Sequence, residues 1–138
     1  MKSDSTNDRQ ESLLQSLRNS QLSEVRLDPC TLSIQFRFTF GPGKDDVVIE
    51  MSKTVHIAIS KDPEDEELLA IVGEVTLHEA LDGGLSILTD LKYPFKSTAD
   101  RSAVFTYPST RLYHFHMEGD VCADVVCAQY KLQVINRP

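Results

Sequence analysis

TLSIQFRFTF, residues 31–40, is the stretch that decides the fold. Leu32, Ile34, Phe36, Phe38 and Phe40 alternate with Thr31, Ser33, Gln35, Arg37 and Thr39. Side chains of a strand point to alternate faces, so this pattern predicts a half-buried strand. Gly41-Pro42-Gly43-Lys44-Asp45-Asp46 has the composition of a loop. Alternation then resumes, with Val47, Ile49, Met51, Val55, Ile57 and Ile59 set against Glu50, Ser52, Thr54, His56 and Ser60. A hairpin closed at Phe40 and Val47 would place Phe38 opposite Ile49, Phe36 opposite Met51 and Arg37 opposite Glu50. That register matches apolar with apolar and positive with negative, the pairs that stabilise sheets.

Outward from this hairpin the chain reads as further strands. Lys61-Asp62-Pro63-Glu64-Asp65-Glu66-Glu67 suits either an acidic loop or a helix start, with Asp62 as cap and Pro63 in the first turn. Loop followed by strand is preferred, because Val72 to His78 suits a strand and Gly73 weakens a helix. Asp82-Gly83-Gly84 is a turn, and Leu85 to Leu91 is a short apolar piece of either type. Residues 92–111 read as an irregular loop holding one short strand, Ala103 to Tyr107. Leu112–Glu118, Gly119-Asp120 and Val121–Val134 read as a closing hairpin. A two-residue turn there would pair Cys122 with Met117, His116 with Ala123 and His114 with Val125.

At the other end, residues 1–7 read as a flexible tail and residues 8–21 as a short helix. Asp8 and Glu11 suit a capping box, and Leu13, Leu14 and Leu17 form the docking stripe. The expected fold is therefore mainly β. Residues 8–138 form a single domain, a strongly curved antiparallel sheet making a small barrel or sandwich of about seven strands, with one short N-terminal helix.

Length and composition agree with a single globular domain. The chain has 138 residues, of which 41% are hydrophobic and 25% charged. Its formal net charge of −7 argues against nucleic acid as a partner. The charge is concentrated: residues 41–82 hold 3 basic and 11 acidic side chains, and the rest hold 11 and 10. Such an acidic surface can steer a basic protein partner, with Glu64, Asp65, Glu66 and Glu67 as its centre. The competing account is a solvated loop that keeps a β-protein soluble. The loop 92–111 runs the other way, interleaving Lys92, Lys96, Arg101 and Arg111 with Tyr93, Phe95, Phe105 and Tyr107. That composition suits single-stranded nucleic acid or, equally, a loop pinned to a core. The first 12 residues are polar and the longest apolar run is Leu68 to Val72, so no export or membrane segment is expected. Cys30, Cys122 and Cys127 read as free thiols of a cytoplasmic protein.

The sharpest chemical pattern is His114, His116 and Glu118 in LYHFHME. Spaced by two on a strand, they share a face and can bind a ligand or act as an acid–base pair. The alternative is that they form the wet face of a strand whose core face is Tyr113, Phe115, Met117 and Cys122. Cys122 and Cys127 are five apart, so a regular strand points them to opposite faces, and no metal site or cofactor is expected. His56 and His78 lie on polar faces, and pairing of their strands would bring His78 toward Glu50. No nucleophile elbow, phosphate loop, dinucleotide fingerprint or zinc-protease motif occurs. The expected function is therefore non-enzymatic binding of another protein, as an accessory, chaperone-like, immunity or regulatory protein. The alternative is a small-molecule-binding barrel or small enzyme, which predicts a pocket flanked by His114, His116 and Glu118. Sheet edges in need of cover suit a homodimer.

Overall fold

The computed structural model describes residues 2–64, 69–93 and 111–136, with side chains from Arg9 onward within them. Helix α1 spans Lys2–Ser16, and strands β1 (Gln21–Leu27), β2 (Ile34–Thr39), β3 (Asp46–Lys61) and β4 (Val72–Glu79) follow. A 3-10 turn at Leu81–Gly84 leads into α2 (Leu85–Asp90), then β5 (Tyr113–Gly119) and β6 (Val121–Ile135). The strands form one antiparallel sheet in the order β1-β2-β3-β6-β5-β4.

The architecture is mainly β and antiparallel, as expected, but it is an open sheet and neither a barrel nor a sandwich. The two edge strands approach at one end only, through a bridge between Gln21 and Ile71 and bonds from Leu22 N–H to Ala70 O and Val72 N–H to Ser20 O. Six strands are present among the described residues, not about seven. The apolar piece at Leu85–Leu91 is helical at Leu85–Asp90 and buries Leu88. The strand expected at Ala103–Tyr107 lies outside the described residues. β1 has no counterpart in the sequence pattern because its register shifts between Leu22 and Glu24. A bulge adds a residue, so the apolar spacing of Leu22, Val25 and Leu27 loses its period of two.

Helix α1 begins at Lys2, not Asp8, so Asp8 and Glu11 lie inside it and do not cap it. It stops at Ser16 because Asn19 adopts φ 69 and its N–H bonds to Val72 O, which ties the helix end to β4. Asparagine tolerates this left-handed conformation at a helix terminus better than most residues. Leu14 and Leu17 are buried as expected, against a core of Ile34, Phe36, Phe38, Ile49, Met51, Phe115 and Val125. The opposite face of the sheet carries a smaller core, in which Leu88 of α2 packs with Ala80, Leu112 and Val126.

The β2–β3 hairpin exists, but its register is two residues from the expected one. Phe36 faces Ile49, Phe38 faces Val47 and Arg37 faces Val48. A two-residue slip keeps every side chain on its proper face, so alternation alone cannot distinguish the two registers. The wider loop lets Arg37 pair with the buried Asp46 at 2.8 Å instead of Glu50. Charge-assisted bonds of this kind outweigh an exposed cross-strand pair.

The connection from β3 to β4 does not make a hairpin. It crosses the β5–β6 turn and is bonded to it: Ile71 N–H donates to the Asp120 carboxylate at 2.9 Å, and Asp120 N–H donates to Ile71 O at 3.0 Å. Gly119 lies under this crossing with φ 153, and a Cβ there would stand 2.5 Å from Ile71 O and 2.8 Å from Gly73 N. Both neighbours are backbone, which cannot step aside as a side chain can. Gly119→Ala is expected to destabilise the fold by at least about 1–3 kcal/mol, as strained backbone does. A urea unfolding midpoint equal to that of the parent chain would refute this.

Candidate functional site

The closing hairpin forms, but one residue out of the expected register. Met117 faces Ala123, His116 faces Asp124, Phe115 faces Val125 and His114 faces Val126. The turn under the crossing connection is one residue longer than a two-residue loop, and an odd shift moves every β6 side chain to the other face. Cys122 is therefore exposed and not in the core, while Cys127 is buried and its thiol is pushed up to about 12 by that burial. Asp124 joins the histidines.

Strand pairing then assembles all four histidines of the chain on one face. His56 of β3 lies opposite Val126, Val126 opposite His114, and His114 opposite His78 of β4. The next row is Ala58, Asp124, His116 and Thr76. Directly opposed residues share a face, so His114, His116 and His56 lie beside Asp124 and His78 lies one strand further out. The His78 and His114 rings meet edge to face at 5.7 Å, and Tyr93, just beyond α2, meets His56 at 6.4 Å. The expected approach of His78 to Glu50 does not occur, because β4 pairs with β5 and not with β3.

Asp124 Oδ1 accepts from His114 Nε2 at 2.7 Å and from His116 Nδ1 at 2.8 Å. His116 Nε2 in turn donates to Glu118 Oε1 at 2.9 Å. Ionised carboxylates only accept, so the network is complete when His116 carries a proton on both ring nitrogens. The bond to Glu118 raises its pKa above the ordinary 6.5, burial opposes this, and Asp124 adds to it. Burial pushes Asp124 upward, but the bonds and charges of His116 and His114 outweigh it and hold the carboxyl below its ordinary value. His56 is lowered, mainly by burial, against the pull of Asp124.

His114 and His116 thus come together as expected, with Glu118 at the rim. The expectation was a pocket flanked by all three. A cleft of about 970 Å³ between α1 and β4 reaches His78 and Glu118 but not His114 or His116. Sequence reasoning missed Asp124, although it is the single acid in the otherwise apolar run Val121–Ala128. Of the acidic residues expected to meet a partner, Glu64 is exposed and its N–H bonds to Asp62, while Asp65, Glu66 and Glu67 lie outside the described residues. So do most of the basic and aromatic residues of loop 92–111; Arg111 pairs with Glu79 at 3.0 Å. Among the described residues, no helix is long and apolar enough to cross a membrane.

His116 and Asp124 give the site a defined pH window. A raised histidine pKa contributes stability that is complete below about 6.5 and lost as pH rises through the higher folded value. A lowered Asp124 pKa contributes stability present above about 3.8 and lost as pH falls through the lower folded value. Glu118→Ala removes the largest cause of the His116 shift, the carboxylate that accepts from its Nε2. In metal-free buffer its His116 ring resonances are expected to titrate nearer 6.5 than in the parent chain. The stability difference between the two proteins should be largest near pH 5–6 and vanish above the parent's midpoint. An unchanged His116 titration would show that Glu118 does not hold the proton. No known protein family and no curated protein sequence matches the chain.

Proposed function

We propose that the protein is a small ligand-binding domain whose working surface is the histidine face, and that its ligand is the size of an ion. The observation that carries this is the convergence of His114, His116 and Asp124, whose donor atoms all lie within 4.8 Å of one another. That spacing suits one atom held by several groups, not an organic molecule spread over a cavity. The groups are built on two directly paired strands, which position side chains more rigidly than loops do. Thermal unfolding with divalent cations in one arm and phosphate or sulfate in the other tests the reading. An ion at about 100 times its Kd should raise Tm by about 5–10 °C, and His114→Gln or Asp124→Asn should abolish the rise. No shift from either class, or a shift that survives both substitutions, would sink it.

Binding of another protein chain is the second reading, and β1 supports it. Val25 and Leu27 lie opposite the buried Phe36 and Ile34, yet they are 41% and 50% exposed because β1 is an edge strand. An added strand would cover them. A second copy fits best. In antiparallel pairing centred on Val25, Glu24 faces Arg26 of the partner subunit, and the reverse contact follows by symmetry. Sedimentation is expected to show a concentration-dependent dimer that Val25→Lys converts to monomer. A parent chain that stays monomeric throughout would refute self-pairing.

A further inference from the structure

We infer that His114 Nε2, His116 Nδ1 and Asp124 Oδ1 are the protein ligands of a divalent transition-metal site, with Glu118 as the residue that orients His116 from its other ring nitrogen. The inference rests on the ion-binding reading above and names the ion's class.

Geometry comes first. Zinc takes nitrogen and oxygen ligands at roughly 2.0–2.2 Å, so ligand atoms around it stand about 3.3 Å apart. Here the two imidazole nitrogens lie 2.7 and 2.8 Å from the shared carboxylate oxygen. A cation entering among them needs the side chains to part by about half an ångström, a rotamer adjustment that leaves the strands in place. Asp124 and His116 are direct cross-strand partners and His114 lies two residues along β5, so the backbone already presents the set.

The arrangement around the ligands agrees. Metal-binding histidines commonly donate their second ring N–H to a carboxylate, which holds the ring and raises its basicity. His116 does this with Glu118 at 2.9 Å. The His114, His116 and Asp124 side chains are 13%, 33% and 24% exposed. The set is therefore lined by protein yet reachable from solvent, and water can fill the remaining coordination positions.

The donor types select the ion. Two imidazoles with one carboxylate suit zinc, nickel, copper or ferrous iron, whereas magnesium and calcium prefer oxygen throughout. An anion fits less well, because it would meet two carboxylates, Asp124 and Glu118, for every histidine pair.

The test uses the 138-residue chain stripped with EDTA. Titration with Co2+, read by visible absorption, and with Zn2+, read by calorimetry, should show one site. His114→Gln and Asp124→Asn should each weaken binding at least 100-fold, with circular dichroism confirming the fold. Glu118→Gln should weaken it by about 10–100-fold without abolishing it, as loss of such an orienting group does. X-ray absorption on the zinc complex of the parent chain should show two imidazoles per metal, a readout independent of any variant. Absence of Co2+ and Zn2+ binding, or binding unchanged in His114→Gln, would overturn the inference. If phosphate or sulfate instead stabilises the chain in a His114-dependent way, the metal assignment falls and the ion-binding reading stands. If neither class binds, both fall.

Discussion

The rest of the structure depends on a steric constraint at Gly119, where two backbones meet without room for a side chain. The connection from β3 to β4 must cross the end of the β5–β6 hairpin, because β4 is not next to β3 but lies at the far edge. The crossing is held by reciprocal bonds between Ile71 and Asp120. The same segment reaches back to β1 through Ala70, Ile71 and Val72. One short stretch of backbone thus ties the start of β1 to the end of β5. The turn beneath it is one residue longer than a two-residue loop, and that length sets the register of β6 against β5.

The two faces of the sheet follow from that register. One buries the aromatic and aliphatic core under α1. The other is divided between a small core under α2 and the polar cluster around Asp124. A buried or half-buried carboxylate is costly unless hydrogen-bonded. Here the two imidazoles offset that cost, and their own positions are set by strand pairing. Asp124, His114, His116 and Glu118 are linked by hydrogen bonds, while His78 and His56 meet the rings of His114 and Tyr93.

Much of this was legible in the chain. Alternation located β2, β3, β5 and β6, and the apolar sets Ile34–Phe36–Phe38 and Phe115–Met117 are core residues in the structure. His114, His116 and Glu118 were legible as one face for the same reason. What failed were the offsets between strands. In the β2–β3 hairpin the offset was wrong by two and cost only the identity of Arg37's partner. In the closing hairpin it was wrong by one, which put Asp124 in place of Ala123 opposite His116 and took Cys122 off the core face. β1 was illegible because its bulge interrupts the period that marks a strand.

Side-chain alternation, a local property of extended backbone, marks β2, β3, β5 and β6 as strands and shows which of their faces are apolar. It also determined that histidines and an acid would lie on polar faces. Which strands are neighbours, and how they are offset, is set by contacts across the sheet. Strand order, the crossing over Gly119 and the pairing of Asp124 with His116 depend on contacts between residues far apart in the chain. No local pattern encodes them, since period two is satisfied equally well by registers that differ by two, and a single residue in a turn reverses a face.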